Sequence, residues 1–194
     1  RLLAFVPAAP TESSVLFDLV VGASSIFGGS WLEGSGAVYA ENQALRWIAD
    51  LAGFPKESGG AFVSGGTAGN LSALVAARHE WRRHNPDMAH MRGLVISSQG
   101  AHASIQQATE VMDADLITVP GHRLTGAAIA DTIATLSDTQ RQRLFAVAAT
   151  AGTTNLGIVD EFAGIADVCE REKLWLHIDG AYGGAALAAP SVRA

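Results

Sequence analysis

Four short apolar runs, each followed by a polar cluster or a turn and separated by stretches of helical spacing, constrain this chain more than any other feature. They are Leu94-Val95-Ile96, Leu116-Ile117-Thr118-Val119, residues 144–149 and residues 174–178. Being apolar at consecutive rather than alternate positions, they suit strands covered on both faces, as in a parallel sheet. Between them, residues 125–136 put Ala128, Ile129, Ile133 and Leu136 on one helical face. Residues 161–173 do the same with Phe162, Ile165, Ala166 and Cys169, behind a cap at Asp160. Strands alternating with helices of this length need crossover connections, so the expected fold is α/β, a mostly parallel sheet flanked by helices. In such sheets ligands bind at the carboxyl ends of the strands.

Upstream, residues 41–52 carry Ala44, Leu45, Trp47, Ile48 and Leu51 at helical spacing, and Gly53 and Pro55 end that pattern. A short apolar stretch, Ala61-Phe62-Val63, leads into Ser64-Gly65-Gly66-Thr67, and a long helix is expected over about 68–83. Residues 1–58 are read as a segment leading into a large domain that occupies 59–194. With 48% hydrophobic residues and 21 glycines, the chain has the material for a sizeable core with tight backbone passages. A net charge of −6 and no basic tract argue against nucleic acid or an anionic membrane as partner. No apolar run is long enough to span a bilayer, and residues 1–6 resemble a signal core without a cleavage site after them. The single cysteine, Cys169, fits a reducing cytoplasm.

Four polar clusters carry the candidate chemistry. Ser64-Gly65-Gly66-Thr67-Ala68-Gly69-Asn70 opens the long helix, where unpaired backbone N–H groups and the helix dipole favour a phosphate. Its spacing matches neither the dinucleotide fingerprint nor the Walker loop. Asp179 ends the run Trp175-Leu176-His177-Ile178, and the small residues after it leave room for a cationic ligand group. His177 and Asp179 fall on one face of a regular strand, but no third ligand at a recognisable spacing supports a metal, so none is expected. His102 lies in Gln99-Gly100-Ala101-His102-Ala103-Ser104 after the first run, and Thr154 in Thr150-Ala151-Gly152-Thr153-Thr154 after the third. Singly, each has an ordinary explanation as a cap, a turn or a solvated side chain. Their coincidence at strand ends does not.

The order Ser-Gly-Gly-Thr-x-x-Asn-Leu, Ala-His-x-Ser, Ala-Thr-x-Gly-Thr-Thr and Trp-Leu-His-Ile-Asp-Gly-Ala-Tyr-Gly-Gly resembles the group II pyridoxal-phosphate-dependent amino-acid decarboxylases. That family includes the aromatic-amino-acid, glutamate and diaminobutyrate enzymes. Phe5-Val6-Pro7-Ala8 and Ser30-Trp31-Leu32-Glu33-Gly34-Ser35 are similar to its upstream segments. The resemblance implies a fold-type-I large domain, pyridoxal 5'-phosphate as cofactor, a small L-amino acid as substrate and a homodimer. It also implies a role for each cluster. Gly66 and Thr67 would hold the phosphate, His102 would stack on one ring face and Ala181 on the other. Asp179 would pair with the ring nitrogen, and Thr154 would touch the ring substituents or support Asp179. The protonated ring is the electron sink for the carbanion left by decarboxylation, and a neighbouring carboxylate favours that protonated form.

The family's Schiff-base lysine follows a histidine beyond the Asp-x-Ala-Tyr segment, whereas this chain has only Lys56 and Lys173, neither in that setting. The expectation is therefore a fragment, inactive alone, of a longer enzyme. For the substrate pocket the candidates are Glu12, where the aromatic-specific members carry an aromatic residue, and Phe27. Glu12 would select a cationic side chain or simply face solvent, and Gly29, in place of a bulkier residue, would enlarge the pocket. Aromatic substrates stay open. The competing readings are another fold-type-I carbon–carbon lyase, of the sphingosine-phosphate lyase type, and a non-catalytic dimer partner. Plain nucleotide binding ranks last.

Overall fold

A computed structural model describes residues 9–191; Phe5-Val6-Pro7-Ala8 and the signal-like start lie outside the described residues. The chain forms two compact units, one reaching Phe62 and taking in the segment from Ala186 onward, the other Val63–Ala185.

The first unit contains α1 (Glu12–Ser24) and α2 (Trp31–Ala52). Thr11 caps α1 by accepting from the Ser14 N–H, and Ser30 caps α2 by accepting from the Glu33 N–H. The helix expected over 41–52 is thus the second half of a longer one, interrupted by non-helical backbone at Gly34. It ends at Gly53 in the left-handed region, as expected.

The second unit is a four-stranded, all-parallel sheet in the order β2-β1-β3-β4. Its strands are β1 (Leu94–Ser98), β2 (Asp115–Val119), β3 (Leu144–Thr150) and β4 (Trp175–Asp179), close to the four apolar runs. The central strands β1 and β3 are buried along their whole length. Their side chains divide between two hydrophobic layers. Leu94, Ile96, Val147 and Ala149 meet α5 (Gly126–Ala134) and α7 (Phe162–Glu172) through Ile129, Ile133, Ile165, Val168 and Cys169. On the other face Val95, Phe145, Ala146 and Ala148 meet α3 (Gly66–His84) and α4 (Ala103–Val111) through Leu74, Ala77, Ile105 and Ala108. Each large buried aliphatic side chain stabilises the unit by about 1.5–3 kcal/mol relative to exposure.

Two local readings change. Ala166 is exposed, and Val168 takes its place in the buried face of α7. Asp160 does not cap α7, whose N-cap is Glu161; its carboxylate accepts instead from the Leu124 and Thr150 N–H groups, at 2.6 and 2.7 Å. A short helix, α6 (Asp138–Arg143), precedes β3 behind a capping box of Ser137 and Gln140. Among the described residues no helix is long and apolar enough to cross a membrane.

Candidate active site

Because all four strands run parallel, their carboxyl ends lie at one edge, and the start of α3 meets them there. Gly65 has φ +137°, which a side chain would strain, and Gly66 begins the helix. A Cβ at Gly66 would stand 3.1 Å from Cβ of Ala181, so the helix start and the turn after β4 are in close approach. No side chain caps α3. The N–H groups of Gly66, Thr67 and Ala68 precede the first intrahelical bond, Gly69 N to Gly65 O. Gly66 and Thr67 are exposed. This is a cradle for an anion, with the Thr67 hydroxyl at its rim.

One turn further along α3, Asn70 heads the buried stripe Asn70, Leu74, Ala77. Its Nδ2 donates to Oδ2 of Asp179 at 2.9 Å and to Oγ of Ser104 at 2.8 Å. Its Oδ1 lies 2.7 Å from Nε2 of His177. Asp179 is buried, and its second oxygen accepts from the Ala181 N–H at 3.0 Å. With two donors for roughly four lone-pair sites, the carboxylate retains accepting capacity for a cationic N–H. The predicted shared face of His177 and Asp179 is observed, since both reach the Asn70 amide. Burial lowers the His177 pKa, and the nearby Asp179 charge opposes that shift.

His102 is the N-cap of α4: its Nδ1 accepts from the Ser104 N–H at 3.2 Å and lies 2.8 Å from Ser104 Oγ. The ring is exposed and lines a recess of about 300 Å³ with Gln99, His122, Thr154 and Leu156. Thr154 is held there by the preceding turn. Gly152 has φ +93°, and a Cβ on it would meet Tyr182 Cδ1 at 2.6 Å. Thr153 pairs with Ile158 in both directions, and Asp160 clamps the end of β3 at Thr150. A cavity of about 800 Å³ lies around the start of β3 and β4, between Trp81, Phe145 and Trp175, and contains none of the predicted site residues.

His102, Asp179 and Ala181 are therefore brought together with Gly66 and Thr67, and Thr154 shares the recess beside His102. Glu12 and Phe27 belong to the first unit. Glu12 is exposed in the first turn of α1, where a carboxylate is favoured by the helix dipole alone. The Phe27 ring lies over Gly29, occupying the space a side chain there would need. Asn70 and Ser104, which stand within the same motifs, are drawn into this cluster as well. The signal for this in the sequence is Asn70 itself, a polar residue on the inner stripe of a helix. Among the described residues no group of three or more His, Cys, Asp or Glu side chains is placed to hold a metal ion.

The arrangement offers an anion cradle, a carboxylate with spare accepting capacity, an imidazole and a methyl group at one sheet edge. A phosphorylated, flat, basic heterocycle has matching chemistry.

The family model described as the pyridoxal-dependent decarboxylase conserved domain matches residues 1–194. An aromatic-L-amino-acid decarboxylase of Bacillus atrophaeus is 34% identical over 96% of this chain and 39% of its own length. An L-2,4-diaminobutyrate decarboxylase of Rhizobium meliloti is 32% identical over 88% of this chain and 34% of its own. The chain thus spans well under half the length of these relatives. The crystal structure of Oryza sativa TDC with PLP and tryptamine superposes with a TM-score of 0.89 at 26% identity, covering 98% of this chain and 42% of that one.

Proposed function

The chain belongs to the pyridoxal-dependent decarboxylase family, and on that premise we propose that its site binds pyridoxal 5'-phosphate and serves decarboxylation of an L-amino acid to the amine and carbon dioxide. The observation that carries this reading is Asp179, a buried carboxylate at the end of a parallel strand, beside a helix start bare of side-chain caps. The N–H groups of Gly66, Thr67 and Ala68 would hold the phosphate, with the Thr67 hydroxyl. Asp179 would hold the proton on the ring nitrogen by charge pairing, and His102 and Ala181 would bracket the ring. When bound, the cofactor supplies the electron sink for the charge left on Cα as carbon dioxide departs. Thr154 would stand beside the ring substituents.

The substrate class is not assigned from Glu12, whose position has sufficient cause in the electrostatics of α1. A homodimer is part of the proposal and is supported by α1. Val15, Leu16, Phe17, Leu19, Val20 and Val21 are each more than half exposed there. A helix apolar on all sides requires cover. The buried, unpaired Cys169 supports a cytoplasmic location.

The test is carbon dioxide release by the intact protein with added pyridoxal phosphate, across aromatic, acidic and diamino L-amino acids. Release from one class is expected. Cofactor binding without release from any class would move the reading to another pyridoxal reaction or a non-catalytic partner.

A further inference from the structure

Asn70 is only 4% exposed, and its amide uses both protons and its oxygen on three separate side chains. Core packing does not account for that choice, because an apolar side chain of similar size would continue the stripe of Leu74 and Ala77. A buried amide is tolerated only when its hydrogen-bonding groups are satisfied, and here they are satisfied by the groups assigned to the chemistry.

We propose that Asn70 is a positioning residue that fixes the Asp179 carboxylate and, through Ser104, the tautomer of His102. This rests on the reading of the site given above. An ionised carboxylate only accepts, so the amide must turn its NH₂ toward Asp179 and its oxygen toward His177. His177 then carries its proton on Nε2. The second amide proton goes to Ser104 Oγ, at 2.8 Å, and the hydroxyl proton is left for Nδ1 of His102, also at 2.8 Å. The Ser104 N–H approaches the same nitrogen. With two donors aimed at it, Nδ1 holds no proton, and His102 keeps its N–H at Nε2. One amide thereby orders two imidazoles.

The experiment is a long-range ¹H–¹⁵N correlation spectrum of the intact, histidine-labelled protein without cofactor. In the wild type His102 and His177 should each give the single pattern of an Nε2–H imidazole. Asn70→Leu should scramble His177 and loosen the His102 preference, and Ser104→Ala, which leaves only the backbone N–H on Nδ1, should shift the His102 tautomer population alone. Leu74→Ala, a purely structural change on the same stripe, should leave both patterns unchanged. Unaltered tautomers in a folded Asn70→Leu protein would overturn the proposal. If that variant does not fold, an unaltered His102 in Ser104→Ala overturns it. With ¹⁵N-labelled pyridoxal phosphate added, Asn70→Leu should also weaken the protonated ring-nitrogen signal and lower cofactor affinity about tenfold, the scale of one charge-assisted hydrogen bond. A wild-type protein that binds no cofactor, with its tautomers ordered as described, would sink the functional reading and leave the network standing.

Discussion

The Cα of Gly66 and the methyl of Ala181 stand so close that a Cβ on the glycine would lie 3.1 Å from its neighbour. The backbone at Gly66 is ordinary helix, so Gly66→Ala should keep the fold and act by pushing Ala181 away from the anion cradle. Gly65 is the reverse case, with open space but φ +137°. Gly65→Ala should cost about 1–3 kcal/mol of stability, whereas Gly66→Ala should weaken cofactor binding with little change in denaturation midpoint. Paired fluorescence titration and urea unfolding separate the two effects.

Asp179→Asn keeps the size of the side chain and removes its charge. Decarboxylation should fall at least about a hundredfold, the scale for losing one preorganised electrostatic group. Secondary structure and oligomeric state should be retained. Unchanged turnover would remove Asp179 from the chemistry.

Asp160 is a structural counterpart, a buried carboxylate whose partners are the N–H groups of Leu124 and Thr150. Asp160→Ala strands both donors and should cost about 2–4 kcal/mol. Burial is the main cause of its raised pKa, with the two backbone donors opposing. The folded state therefore holds this proton to higher pH than the unfolded state does. Stability from this group should fall as pH rises from the ordinary aspartate value through the raised one. Against an Asp160→Asn reference, urea midpoints across that window should show this slope.

His177 should give the opposite slope. Its lowered pKa, caused chiefly by burial, means that the unfolded chain takes up a proton before the folded one. Stability should be lost as pH falls from the ordinary histidine value toward the lowered one. His177→Gln, which retains an N–H donor for Asn70, should flatten that part of the midpoint-versus-pH curve.

The strands were legible because β1 and β3 are covered on both faces, which leaves an uninterrupted apolar run as their signature. Helix α3 was legible from its length and from the glycines at its start. Helix α4 was not, because its buried face is Ser104, Ile105, Ala108 and Thr109, too mixed for a periodic stripe. Helix α1 has apolar residues on every side and so no face to detect. Helix α6 buries no residue fully, and its one signal is the Ser137–Gln140 capping pair. Asp160 had the right type and place for a cap, but tertiary donors captured its carboxylate. His102, Thr154 and Asp179 were singled out by their positions at or just beyond strand ends. The Asn70–Asp179 bond joins residues 109 positions apart, and no local pattern encodes it.

That separation has a kinetic meaning. Helix α3 precedes β1 in the chain and strand β4 follows α7, and among the described residues β4 pairs with β3. Until β4 docks, Asn70 lacks its carboxylate partner and the helix start faces no ring-nitrogen acceptor. A chain emerging from the ribosome would gain this arrangement in one step, the docking of β4, rather than gradually. Ligand capture would then report the docking of β4 against α3, and it would stabilise only chains that had reached that point.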